Sequence, residues 1–99
     1  MITIMKNGEW STLEAAVRKY GGKHQVLKAV EEMAELTQAL MKNLDGAMNV
    51  GNVVEEMADV EIMLQQLRLI YANDLAVETQ INLKLARLKA RMEAQGHDD

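Results

Sequence analysis

Two short acidic segments of the chain have nearly the same sequence. They read "VEEMAEL" at positions 30–36 and "VEEMADV" at positions 54–60. Each carries two carboxylates three residues apart: Glu32 and Glu35 in the first, Glu56 and Asp59 in the second. On a helix such residues are neighbours, and like charges 4 Å apart repel by about 4 kcal/mol at an effective dielectric of about 20. Two pairs facing each other would need cations, whereas either pair alone is typical of a solvated helix face.

The available donor atoms indicate which cation such a site would bind. The sequence has no cysteine, and its two histidines, His24 and His97, stand apart and are interpreted as surface or loop residues. Oxygen ligands without nearby nitrogen or sulfur favour Mg²⁺ or Mn²⁺ over zinc or iron. A di-iron carboxylate bundle would need a Glu-x-x-His pair, and the sequence has none.

Composition predicts the elements that would hold these carboxylates. The chain lacks proline and phenylalanine, and it is rich in Ala, Leu, Met, Glu and Lys, which favour helices. A hydrophobic content of 48% in 99 residues suffices for one modest core. We therefore predict a single all-α domain spanning residues 1–99, which would gain stability from oligomerisation.

Capping and turn signals divide the chain into four predicted helices. Helix 1 begins at a capping box of Ser11 and Glu14 and stops at Gly21 and Gly22, and helix 2 runs from about Lys23 to Leu44. Helix 3 follows a cap at Asn49 or Asn52 and ends near Tyr71, and helix 4 spans about 75–95, between Asn73 and Gly96.

Apolar periodicity predicts which helix faces are buried. The apolar stripe of helix 2 consists of Val26, Val30, Met33, Leu40 and Leu44. Its glutamates lie largely opposite that stripe and could be solvated. Helix 3 is apolar nearly all round, which is typical of a buried helix, and Glu56 and Asp59 share a face with Met63. Unpaired carboxylates on that face would be costly, so we expect them to be paired, neutralised or bound to metal.

Charge and hydropathy exclude two classes of partner. The formal net charge of −4 argues against a nucleic-acid-binding surface, which needs clustered Lys and Arg. No apolar run approaches the roughly 18 residues that span a bilayer, and the N-terminal segment lacks the features of a signal peptide. We expect a cytoplasmic protein without a membrane or nucleic-acid partner.

The order of the acidic residues resembles that of a known family. The segment Glu31-Glu32-Met33-Ala34-Glu35 forms an EExxE motif, and an ExxD motif from Glu56 to Asp59 follows after twenty intervening residues. Gln25 precedes the first motif, and an N-x-K-x-x-R pattern supplies Asn82, Lys84 and Arg87. Over residues 25–87 the chain resembles the MazG-like, all-α nucleoside triphosphate pyrophosphohydrolases.

The resemblance implies a fold, a reaction and a role for each acidic residue. It implies a four-helix bundle that assembles as a homodimer or homotetramer and hydrolyses a (d)NTP to the (d)NMP and pyrophosphate in nucleotide-pool housecleaning. Glu32, Glu35, Glu56 and Asp59 would be ligands of Mg²⁺, with Mn²⁺ as a substitute, and Glu31 would orient or deprotonate the attacking water. Glu55 is a competing candidate for the base.

Substrate contacts are implied for five residues outside the acidic motifs. By the resemblance these include Gln25, Asn82, Lys84 and Arg87, and Trp10 could stack on a nucleobase or pack at the start of helix 1. Asn82 and Lys84 lie on opposite sides of the apolar stripe of helix 4. Either two chains build the site or one of these two residues is not a contact.

A rival interpretation assigns the chain no catalysis. In it the protein is a helical dimerisation or regulatory module, and its glutamates are solvated or paired with the basic flank of helix 4. The two interpretations differ in whether Mg²⁺ stabilises the folded chain.

Overall fold

The described part of the chain folds into four α-helices that lie close to their predicted positions. The computed structural model describes residues 7–96. The helices are α1 (Asn7–Tyr20), α2 (Gly22–Leu44), α3 (Val50–Ile70) and α4 (Asp74–Ala94). Because residues 7–96 contain no strand, the all-α prediction is confirmed for that part of the chain. None of these helices is long and apolar enough to cross a membrane.

The start of α1 differs from the prediction. The helix begins at Asn7, so Ser11 lies inside it and forms no capping box at its start. Glu9 lies in the first turn, where a negative charge is favourable because it faces the positive end of the helix dipole. Trp10 is therefore a half-buried helical residue that does not precede the helix. The other end agrees with the prediction: Gly21, at φ 92°, is the single residue between α1 and α2.

Helices α2 and α3 form a hairpin whose turn is held by asparagine side chains. Asn49 immediately precedes α3, as predicted, but its side chain makes no capping bond. The Asn49 Nδ2 donates instead to the backbone oxygen of Ala39 at 3.3 Å, and Asn43 Nδ2 donates to Asn49 Oδ1 at 3.1 Å. These bonds attach the start of α3 to the last turns of α2.

The face of α2 that packs against the rest of the chain is not the apolar stripe. The buried residues of this helix are Gln25, Ala29, Glu32 and Ala39. Val30, Met33, Leu40 and Leu44 of the predicted stripe are all exposed in the single chain. The prediction that this stripe forms the core is therefore wrong for one chain, because small alanines let α3 approach α2 closely. The apolar stripe remains available to another surface.

Helix α3 is the central element, yet it is only partly covered. Val60, Met63 and Gln66 are buried, whereas Val54 and Met57 are exposed. One chain thus does not bury α3 all round, and the burial of the whole helix in an oligomer stays a prediction.

Helix α4 packs against α3 alone among the described helices and has no buried residue. The Arg68 guanidinium joins the two helices by donating to Asp74 at 2.9 Å and to Glu78 at 2.6 Å.

The single chain is extended for its size. It exposes 7751 Å², whereas a folded monomer of 11.1 kDa is expected to expose about 5,700 Å². The radius of gyration is 16.6 Å, against about 13 Å for a compact domain of this length. The excess exposed area is large enough for a protein interface, and the exposed side chains include apolar residues of α2, α3 and α4, such as Leu40, Met57 and Leu85.

Candidate metal centre

Five carboxylates from α2 and α3 gather in two overlapping groups. Oxygens of Glu31, Glu32 and Glu35 lie within 4.8 Å of one another, and so do oxygens of Glu32, Glu56 and Asp59. The first group comes from consecutive turns of α2, and the second bridges the two antiparallel helices. All four predicted metal ligands, together with the predicted base Glu31, are therefore brought to one region of the molecule.

Glu32 is the centre of this arrangement and is buried. It belongs to both groups of carboxylates and is 7% exposed. Its Oε1 is buried and has no hydrogen-bond partner among residues 7–96, and the same is true of Oε1 of the half-buried Glu56. Buried charged groups normally have partners, because an unpaired one loses its hydration without compensation. The two oxygens have the character expected of ligands for a cation.

The pKa of Glu35 reflects the crowding of negative charge. Glu32 raises the pKa of Glu35 above its ordinary value, and partial loss of hydration, Glu56 and Glu31 add to the effect. The charge of Lys28 opposes this rise. The direction of the shift shows that repulsion between the carboxylates outweighs the available compensation.

Lys28 supplies the compensation that is present. Its ammonium lies 3.0 Å from Glu31 Oε1 and 3.1 Å from Glu32 Oε2. Hydrogen bonds to Glu31 and Glu32 raise the pKa of Lys28 above its usual range. Sequence reasoning did not identify this residue, although Lys at three and four positions before two glutamates is a standard helical pairing pattern.

The predicted substrate residue Gln25 lies in the interface between α2 and α3, two turns of α2 (about 10 Å) before Glu32. It is buried, and its Nε2 donates to Gln66 Oε1 at 2.8 Å. The Gln25 Oε1 lies 2.7 Å from His24 Nδ1; because that amide oxygen can only accept, the histidine nitrogen must carry the hydrogen. Sequence reasoning missed Gln66, which shares the face of Asp59 and Met63.

The remaining predicted contacts lie apart from this centre. Asn82, Lys84 and Arg87 are exposed on α4, which does not contact α2. Within residues 7–96, none of the three makes an ion pair with the five carboxylates. A single chain therefore does not join this part of the predicted site to the acidic groups.

The predictions for the other candidate residues have separate outcomes. Trp10 is half-buried on α1, and its predicted contact with a nucleobase stays a prediction. His24 is exposed, as predicted, and stacks on Tyr20 with 5.6 Å between ring centroids. His97 lies outside the described residues. Glu55, the competing base, is exposed on α3 and belongs to neither carboxylate group.

The donor set fits a hard divalent cation. Every side chain of the two groups offers carboxylate oxygen, the ligand atom preferred by Mg²⁺ and Mn²⁺. The buried Oε1 atoms of Glu32 and Glu56, which have no hydrogen-bond partner among residues 7–96, are available for such an ion. These two side chains would hold it from opposite helices, with Asp59 and Glu35 completing the carboxylate ligands.

Comparisons with known proteins identify no relative. No model of a protein family matches the chain, and no curated protein or solved structure is significantly similar to it.

Proposed function

We propose that this protein is a MazG-like, Mg²⁺-dependent nucleotide pyrophosphohydrolase that converts a (d)NTP to the (d)NMP and pyrophosphate. One observation carries the proposal: buried carboxylate oxygens of Glu32 and Glu56 lie without partners where acidic pairs from α2 and α3 converge. The EExxE and ExxD motifs of the sequence agree with it. The role would be nucleotide-pool housecleaning in the cytoplasm.

The chain's own residues would share the work of hydrolysis. Glu32, Glu35, Glu56 and Asp59 hold Mg²⁺, which when bound neutralises phosphate oxygens and lowers the pKa of bound water. Glu31 is exposed beside this group and is suited to orient the attacking water or accept its proton. Burial of Glu32 and half-burial of Glu56 between the helices would restrict the movement of these two carboxylates, so that they need little reorganisation when charge develops.

A homo-oligomer would complete the substrate site. Because α4 does not contact α2 in one chain, Lys84 and Arg87 would reach phosphates only on the acidic groups of another copy. The exposed stripe of α2 and the unburied α4 offer apolar surface for such an assembly. A homodimer or homotetramer would thereby cover this apolar surface and bring the positively charged side chains of Lys84 and Arg87 to the substrate phosphates.

A panel of nucleotides tests the proposal directly. Each of the common NTPs and dNTPs is incubated with the protein and Mg²⁺, and released pyrophosphate and orthophosphate are measured separately. The proposed reaction yields pyrophosphate and the monophosphate, and Glu56→Gln should remove it while Glu93→Gln, an exposed change on α4, should not. Release of orthophosphate alone would contradict attack at the α-phosphorus.

A second candidate function is a helical dimerisation or regulatory module without catalysis. The extended single chain and the exposed apolar residues of α2 and α4 favour it. In that case no nucleotide of the panel is hydrolysed and Mg²⁺ leaves the melting temperature unchanged, while the protein still self-associates.

A further inference from the structure

Lys28 is the cation that the described structure provides for the acidic groups. Its ammonium contacts Glu31 and Glu32 at 3.0 and 3.1 Å. No other lysine or arginine between residues 7 and 96 makes an ion pair with these five carboxylates. One oxygen of Glu32 is thus bound by lysine, while its other oxygen is buried without a partner.

We propose that Lys28 is an intramolecular counter-cation that competes with divalent cations for Glu31 and Glu32, and so sets the metal concentration at which the centre loads. This inference rests on the metal centre of the proposed function. Carboxylate oxygens of Glu31, Glu32 and Glu35 lie within 4.8 Å of one another, so a cation held among them would repel the ammonium or take its place.

The exposure of Lys28 makes the exchange feasible. Its side chain is 45% exposed, and lysine has a flexible stem whose ammonium is readily hydrated. Its pair with Glu31, whose side chain is 58% exposed, is of the weak surface kind, whereas its pair with Glu32 joins an exposed ammonium to a buried carboxylate. The ammonium can therefore move into solvent when a doubly charged ion binds, without leaving a buried positive charge behind.

A simpler role for Lys28 would be to hold the two glutamates in position. The two roles predict opposite effects on metal affinity. If the lysine only positions Glu31 and Glu32, its removal weakens metal binding. If it competes with the metal, its removal strengthens metal binding, and it also destabilises the metal-free protein because the carboxylates lose their counter-charge.

Binding of Mn²⁺ to Lys28→Met distinguishes these roles. Titration is followed by the electron paramagnetic resonance signal of the free ion, at fixed ionic strength and without nucleotide. We expect a dissociation constant about three- to tenfold lower than that of the wild type, and a melting temperature of the metal-free protein lower by about 4 °C. Lys42→Met removes the same charge from an exposed position of α2, roughly 15 Å along the helix from Glu32. It should leave the affinity within about twofold, because salt screens charges at that distance.

A measurement on the wild type does not depend on the variant folding. The amines are labelled with an acylating reagent, with and without Mn²⁺, and the rate at each lysine is read by mass spectrometry. Lys28 should label faster with Mn²⁺ because its ammonium is released from the glutamates. Lys42 serves as the internal reference and should not change.

The outcomes separate this inference from the function on which it rests. If the wild type binds no Mn²⁺, the metal centre and the proposed function are overturned together. If it binds Mn²⁺ but Lys28→Met binds no tighter, or Lys28 labels at the same rate with the ion, the competition is overturned and the metal centre stands. Tighter binding by Lys28→Met, with Lys42→Met unchanged and Lys28 released, supports the competition.

Discussion

Replacing Glu32 by glutamine should stabilise the metal-free protein and remove its response to metal. Carboxylate oxygens of Glu32, Glu56 and Asp59 lie within 4.8 Å of one another. At that separation two charges repel by about 3.5 kcal/mol at an effective dielectric of about 20. Glutamine has nearly the same shape, removes the charge, and offers an amide hydrogen to the unpartnered Glu56 Oε1.

The size of the effect follows from the terms that oppose this gain. The Glu32→Gln variant loses the ion pair with Lys28, whose side chain is 45% exposed, so that solvent screens the lost attraction. Solvent also screens Asp59, which is exposed. We therefore expect a net gain of about 1–2 kcal/mol in the free energy of unfolding without metal, and a melting temperature higher by at least about 4 °C.

Adding Mg²⁺ should make the wild type more stable than Glu32→Gln, which is the opposite of the order expected without metal. At a Mg²⁺ concentration about 100 times the dissociation constant, a site that exists only in the folded protein adds about 2.7 kcal/mol to the wild type. The variant lacks the central ligand and should gain little. Glu32→Gln is thus expected to be the more stable protein in EDTA and the less stable one in Mg²⁺.

Thermal unfolding in EDTA and in Mg²⁺, followed by circular dichroism, measures both effects. Glu61→Gln serves as the matched control, because Glu61 is exposed on α3 and belongs to neither carboxylate group. A variant that melts below the wild type in EDTA would refute the reasoning, since Glu32 would then be satisfied as a carboxylate in the metal-free protein.

Three further predictions concern the same centre and one turn. Glu56→Gln and Asp59→Asn should each abolish the Mg²⁺-dependent rise in melting temperature and lower any pyrophosphohydrolase rate by more than about 100-fold, measured as pyrophosphate release. Metal affinity should begin to fall, as the pH is lowered, at a pH above the ordinary glutamate pKa of 4.5, because the raised pKa of Glu35 lets protons compete with the metal earlier. Calorimetric titrations at two pH values check this. A metal affinity that does not change until the pH reaches 4.5 contradicts it. Ala72 has φ 52°, so Ala72→Gly should raise the free energy of unfolding in urea by roughly 0.5–1 kcal/mol, and a loss of stability would show that this turn is unstrained.

The sequence predicted the convergence of acidic residues better than it predicted the packing around them. Spacing alone places Glu56 and Asp59 on one face of α3, and a short loop makes α2 its antiparallel neighbour, so the meeting of the two motifs was predictable. The side of α2 that contacts α3 was not. Val30 and Met33 have the period of a core stripe, and periodicity identifies residues that share a face without identifying what covers that face.

Two buried polar residues also show that periodicity does not identify which side chains the packing of the helices buries. Glu32 lies away from the apolar stripe, which left open whether it was solvated or a metal ligand. It is buried on the same face of α2 as Ala29, because the small alanine lets α3 come close. Gln66 was absent from the predicted site, since neither it nor the adjacent Gln65 belongs to a recurring motif. Its partner Gln25 was singled out only by resemblance. The hydrogen bond between them joins residues 41 positions apart in sequence, so it depends on how α2 and α3 pack.

The one-residue joint at Gly21 has a mechanical consequence for the whole molecule. With no slack between α1 and α2, a tilt of α1 must be transmitted to the first turn of α2. That turn is anchored: a side-chain atom at Gly22 would meet Ile70 of α3 at 3.5 Å, and Gln25 is bonded to the same helix. A displacement of α1, which carries the half-buried Trp10, is therefore expected to move the first turn of α2 and the last turn of α3 together.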